Sequence, residues 1–165
     1  LYNEKNLKYI IENHSNSMDI VTADGGFDFS TDFNKQEQVA FRLIFTQVLY
    51  ALVMQKKGGH FVLKIFDIFT KTTSDIIYLL STLYKQVFII KPNTSRLANS
   101  EKYIICKFFK GDKRGNINQI IREYPKLKTL THISSILNFE LDYFYTNKIE
   151  AVSYTHLTLP TTPYV

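Results

Sequence analysis

Lys64 stands in the run Phe61-Val62-Leu63-Lys64-Ile65-Phe66, a lysine set into an otherwise apolar strand pattern. An ammonium taken out of water is costly unless it is paired, so a cation in such a place tends to be partnered or functional. Two readings stay open on this strand alone. One is a functional lysine; the other is a strand-end lysine whose stem lies over apolar surface while its head reaches water. Upstream, Asp24 follows the strand pattern Met18-Asp19-Ile20-Val21-Thr22-Ala23 and precedes Gly25 and Gly26. A carboxylate at a strand tip, beside glycines that let a backbone or a ligand come close, suits the ligand-facing edge of an open α/β sheet. Asp-Gly is also an ordinary turn signal, and that reading stands beside the first.

The elements that must carry these residues follow from periodicity. Leu7, Ile10 and Ile11 fall at helical spacing, which predicts a short amphipathic helix over residues 3–13. Asn34 and Glu37 resemble a capping box opening a long helix, in which Ala40, Leu43, Ile44, Val48, Ala51 and Leu52 form one buried face. Gln55-Lys56-Lys57-Gly58-Gly59 reads as the close of that helix, with cations in its last turn and glycine just beyond. The strand His60–Phe66 comes next, then a helix capped by Thr73 or Ser74 and running to Tyr84, a strand over Val87–Ile90 stopped by Lys91-Pro92, and a strand over 101–108. Two further helices are expected, one around Ile117–Ile121 before Pro125 and one over Ile133–Tyr145. Alternating strands and helices predict an α/β fold with a mostly parallel sheet, and the short connection before the last strand predicts that this strand is antiparallel.

Composition bounds the function. A chain of 165 residues, 45% apolar and 15% aromatic, fits one globular domain. The net charge of +5 and the pI near 9.2 favour an anionic partner, although a mildly basic surface is common without one. Cys106 is the only cysteine, which excludes an intrachain disulfide and points to a reducing, intracellular setting. His14, His60, His132 and His156 lack ligand spacing, so no metal site is expected. Arg42, Thr46 and Gln47 interrupt the most apolar run, Ala40–Met54, so no membrane partner is expected either. Nothing in the sequence sets an oligomeric state. The run from Val152 to Pro160 resembles translated adapter read-through, so residues 152–165 are expected to be a non-native or disordered tail and residues 1–151 the domain.

Three segments taken together carry a resemblance: Ala23-Asp24-Gly25-Gly26-Phe27, Gly59-His60-Phe61-Val62-Leu63-Lys64, and Ser95-Arg96-Leu97-Ala98-Asn99-Ser100-Glu101-Lys102-Tyr103. With these, the chain resembles the FtsJ-like ribose 2′-O-methyltransferases over roughly residues 1–110 and looks closest to their cap-specific viral branch. The resemblance implies a Rossmann-like methyltransferase sheet, S-adenosylmethionine as cofactor, RNA as partner with capped mRNA favoured, and a Lys-Asp-Lys-Glu tetrad. The last three members map onto Asp24, Lys64 and Glu101. The family's first lysine and its glycine-rich cofactor loop belong to the preceding half of the sheet. The chain is therefore expected to be a fragment, truncated on its N-terminal side and inactive alone.

The residue types fit the implied chemistry. A ribose hydroxyl is a weak nucleophile that must be aligned with the sulfonium methyl and lose its proton during attack. Lys64 is the expected base, a role open to lysine only once it has lost its own proton, which burial and a second lysine nearby favour. Glu101 would orient the Lys64 ammonium, and Asp24 would lie near the cationic end of the cofactor and help to hold the lysines. Ser95 and Arg96 are expected RNA-backbone contacts. Between Lys91 and Lys128 ten Lys/Arg face only Glu101, Asp112 and Glu123, as an RNA-facing side would show, with a solvated basic face as the alternative. A catalytically silent RNA-binding or scaffold domain, and ribosomal RNA as the substrate, are the competing readings.

Overall fold

The computed structural model describes residues 1–26, 36–95, 99–111, 115–127 and 133–157. Its elements are α1 (Glu4–His14), β1 (Met18–Ala23), α2 (Gln36–Met54), β2 (Gln55–Ile65), α3 (Lys71–Leu83), β3 (Tyr84–Ile90), β4 (Lys102–Phe109), α4 (Asn116–Leu127) and α5 (Tyr143–Leu157). The sheet order is β1-β2-β4-β3, with β1 and β2 parallel and β4 antiparallel to both of its neighbours. The last strand is thus the antiparallel one, as expected, and it inserts between β2 and β3.

Two short helices start where their caps put them. Asn3 accepts the Lys5 N–H at 2.9 Å to open α1, and Leu7 turns into the core. The Thr70 side chain accepts the Thr73 N–H at 3.4 Å to open α3, so the cap lies earlier in the threonine-rich run than the expected Thr73 or Ser74. α2 is the central element. From Ala40 to Val53 every residue except Arg42 is buried, so the helix is covered nearly all round and not on a single face. It packs on β1 and β2 and is wrapped by α1, α3 and α4. Each fully buried Leu or Ile of this kind contributes about 1.5–3 kcal/mol. No helix among the described residues is long and apolar enough to cross a membrane.

The expected helix close at residues 55–59 is instead strand. β2 begins at Gln55 directly after α2, and the pairing with β1 jumps from Met18↔Gln55 to Ile20↔His60. Gly58, at φ +88°, and Gly59 take up the difference as a bulge. A Cβ on Gly59 would lie 2.8 Å from the Asp19 carbonyl oxygen, so the close passage of β1 demands glycine there.

The C-terminal region also differs from expectation. Residues 133–142 are irregular, and the helix begins at Tyr143, where Asp142 Oδ1 accepts the Phe144 N–H at 2.8 Å. The reason lies in α3. Asp75, fully buried, accepts hydrogen bonds from Ser135 Oγ (2.6 Å) and the N–H groups of Ile136 (2.9 Å) and Leu137 (3.4 Å), and this fixes the segment in a non-helical path. α5 continues across the expected boundary at residue 151, with Ile149 buried and Val152 packed against the core. α4 likewise runs on through Pro125 instead of stopping before it.

α2 and α3 cover one face of the sheet, where Phe61, Leu63 and Ile65 of β2 and Ile104 and Cys106 of β4 are fully buried. The other face is open among the described residues. It carries partly buried Val62, Lys64, Tyr103 and Ile105 and exposed Ile20, Phe88 and Ile90. The strand bearing Lys64 is therefore not closed on both sides, and the lysine sits on its open face.

Candidate active site at the carboxyl edge of the sheet

Parallel pairing puts Ala23 of β1 beside Leu63 of β2, so the next residue along each strand brings Asp24 alongside Lys64. The Lys64 ammonium lies 2.5 Å from Asp24 Oδ1. Its side chain is 18% exposed, whereas that of Asp24 is 65% exposed at the strand tip. Lys64 Nζ also stands 5.9 Å from the centroid of the Phe66 ring, close enough for a weak cation–π attraction. The stem is mostly covered, and the head is paired with a carboxylate.

The turn after Asp24 is set by a residue that the sequence reading passed over. Gln47 projects from α2, accepts the Gly25 N–H at 3.1 Å and donates to the Leu43 carbonyl at 3.2 Å. A Cβ on Gly25 would sit 2.9 Å from the Gln47 amide nitrogen, so glycine at 25 is needed for this buried contact. At Gly26 a Cβ would meet nothing closer than Lys64 Nζ, at 3.8 Å.

From the other side, β4 pairs antiparallel with β2 and sets Tyr103 directly across from Lys64. The Tyr103 hydroxyl donates to Glu101 Oε1 at 2.5 Å, while Ser95 Oγ and Asn99 Nδ2 both donate to Glu101 Oε2 at 3.1 Å. These bonds, Tyr103 foremost, together with the charge of Lys64, hold the Glu101 carboxyl below its ordinary range against the opposing effect of burial. In return, the bond to ionised Glu101, then burial, then the charges of Asp24 and Glu101 push the Tyr103 phenol up to about 12. Asp24, Lys64 and Glu101 therefore meet at one end of the sheet. Asp24 is the acid in contact with Lys64, and Glu101 acts on it through space. Ser95 reaches this group with its hydroxyl turned onto Glu101, and Arg96 lies outside the described residues. Tyr103 was missed as well, although a tyrosine two residues beyond an acid on a strand shares its face.

The basic segment is partly consumed inside the fold. Lys91, Lys102 and Lys110 bond to protein carbonyls or carboxylates, whereas Lys107, Arg122 and Lys126 are exposed. Among the described residues no group of three His, Cys, Asp or Glu could hold a metal ion. A cavity of about 350 Å³ lies elsewhere, between α3 and α5, lined by Phe69, Lys71, Glu140 and Glu150 among others.

Residues 2–109 match the FtsJ-like methyltransferase family, and the chain belongs to that family. It is 44% identical over 108 residues to the cap-specific mRNA (nucleoside-2′-O-)-methyltransferase 1 of Trypanosoma brucei brucei, covering 65% of this chain and 29% of that protein. It is 47% identical over 90 residues to the mouse protein of the same name, covering 54% of this chain and 11% of the relative. The chain thus spans under a third of the length of these relatives. A solved structure described as a ribosomal RNA methyltransferase from Plasmodium falciparum superposes with a TM-score of 0.50 at 20% identity, over 65% of this chain and 54% of the other, and shares the fold. The expected viral affinity is not supported, because these relatives are eukaryotic proteins.

Proposed function

We propose that this chain carries the hydroxyl-activating part of an S-adenosylmethionine-dependent ribose 2′-O-methyltransferase acting on capped mRNA. The observation that carries the reading is the 2.5 Å contact of Lys64 with Asp24 at the carboxyl edge of the sheet, with the Glu101 carboxylate near enough to feel the lysine's charge. The cap-specific names of the relatives support capped mRNA as the substrate.

The fit to a cationic methyl donor rests on Asp24, an exposed carboxylate at a strand tip followed by two glycines, which a positive group can approach. When bound, the cofactor supplies the electrophilic methyl group. The chain's own part is to hold the ribose oxygen and take its proton. Lys64 Nζ receives that proton as the oxygen attacks, and Asp24 holds the ammonium so formed. Glu101, saturated by three donors, fixes the charge that steers the lysine instead of exchanging protons itself. Arg96, with Ser95 beside it in the sequence, is the proposed contact to the RNA backbone.

Transfer of labelled methyl from S-adenosylmethionine to short RNAs tests this. Incorporation should need both the cap and a free 2′-hydroxyl on the first nucleotide. Label on a 2′-deoxy substrate would refute ribose methylation, and equal label on uncapped RNA would refute the cap assignment.

A further inference from the structure

The connection between β3 and β4 is closed at its foot by two lysines. Lys91 follows Ile90, the residue that pairs with Tyr103, so it stands where the two ends of the connection come together. Its ammonium donates to the Asn99 carbonyl at 2.5 Å, the Asn99 side-chain oxygen at 2.9 Å and the Glu101 carbonyl at 3.2 Å. Lys102 takes the carbonyl between them, that of Ser100, at 3.2 Å, and reaches Asp67 at 3.5 Å. Three successive carbonyls, ending with that of Glu101, are therefore held by ammonium groups. Lys102 is buried, at 3% exposure, and belongs to the helix-covered side of the sheet with Ile65, whereas Glu101 bonds to Tyr103 on the Lys64 side.

We infer that Lys91, with Lys102 behind it, is a positioning residue for Glu101: it fixes the backbone on both sides of the carboxylate and so sets its distance from Lys64. This rests on the reading of Glu101 as part of a methyl-transfer site. A lysine suits the task because its three N–H donors can converge on three oxygens from one point, which a planar guanidinium cannot do. The cost is visible at Lys91. Burial, and then the Lys102 ammonium beside it, lower its proton affinity, with Glu101 and Asp67 opposing. Asn99 belongs to both ends of the device, since its oxygens bind Lys91 and its amide donates to Glu101.

Lys91→Met in the whole chain tests the inference, because it keeps the stem and removes the donors. Carbon-detected NMR of the glutamate carboxyls should show Glu101 titrating at higher pH, back toward the ordinary range. Amide hydrogen exchange at residues 100–102 should speed up by about tenfold or more while that at residues 61–63 holds. Where the unsubstituted chain turns over, kcat should fall with KM for the cofactor unchanged. Should Lys91→Met fail to fold, Lys91→Gln, whose shorter neutral head can serve fewer of the three oxygens, gives the same readouts. An unmoved Glu101 titration, or exchange that speeds up equally across the sheet, overturns the inference. If methyl transfer is absent while Glu101 responds to Lys91, the proposed function fails and the positioning stands.

Discussion

Replacing Lys64 by methionine separates catalysis from stability, because the proposed base role and the ion pair call for very different magnitudes. The ion pair with Asp24 is short, but its acid is 65% exposed, so water screens most of the attraction. Such half-open pairs contribute about 0–1 kcal/mol. Methionine preserves the stem that lies between Val62 and Phe66, so little packing is lost, and the melting temperature should move by about 4 °C at most. The reaction barrier is another matter. Removing a general base costs about 10²- to 10⁴-fold in rate, or roughly 2.7–5.4 kcal/mol at about 1.36 kcal/mol per tenfold. Thermal unfolding by circular dichroism and initial methyl-transfer rates on capped RNA, at saturating cofactor, measure the two quantities on one preparation. Lys64→Arg belongs in the same experiment. It keeps the charge but effectively cannot deprotonate, and should be as inactive as Lys64→Met. The reasoning is refuted if Lys64→Met retains a rate within about threefold of the parent. It is equally refuted if stability drops by several kcal/mol and the lost rate merely follows the unfolded fraction.

Two further outcomes follow from the hydrogen bonds. The Tyr103 phenol, raised to about 12 in the fold from an ordinary 10.0, stays neutral where the unfolded chain would ionise, so it adds stability that is intact below pH 10 and drains away as pH rises through 12. Tyr103→Phe should therefore flatten the alkaline loss of stability between those limits and raise the Glu101 titration, since it removes the largest cause holding that carboxyl down; an alkaline profile unchanged by the substitution would contradict this. Asp75→Asn keeps one oxygen for the Ser135, Ile136 and Leu137 donors but sets its amide donor against the Lys71 ammonium in full burial, and should cost about 3 kcal/mol. Limited proteolysis should then cut first within residues 133–142, and a cleavage pattern identical to the parent's would count against Asp75 as the anchor.

What could be read from the sequence was whatever local pattern decides. The strand around Lys64, the helix over 40–54 and the alternation that implies an α/β sheet all carry their periodicity in the chain itself. Lys64 and Asp24 stood out by residue type and position, Glu101 came only with the motif resemblance, and the fold brings all three to one edge. What failed was decided at long range. Lys56-Lys57-Gly58-Gly59 has the same letters as a helix close, and only the passage of the Asp19 carbonyl beneath Gly59 makes it a strand bulge. Ile133, Ile136 and Leu137 have helical spacing, yet Asp75 captures the Leu137 amide that such a helix would bond to the Ile133 carbonyl. Gln47 gave a faint signal, a polar residue in an apolar helix, that acquires meaning only once Gly25 is seen against it.

The placement of the site depends on that bulge. Along β2, Phe61, Leu63 and Ile65 go under the helices, while His60, Val62 and Lys64 face the open side. A slip of one residue would exchange the two sets, exposing three apolar side chains worth about 1.5–3 kcal/mol each and driving an ammonium beneath α2 and α3. The alternation therefore fixes which side Lys64 takes, but not which residue of β1 it meets. That second choice is made at Gly58 and Gly59, where β2 absorbs extra residues before settling into the register Ile20↔His60 through Ala23↔Leu63. Without the bulge, the pairing begun at Met18↔Gln55 would carry Asp24 alongside Phe61, on the wrong face and well short of Lys64. The contact between Lys64 and Asp24 at the carboxyl edge is thus set at the opposite end of the same two strands, by Gly58 and Gly59.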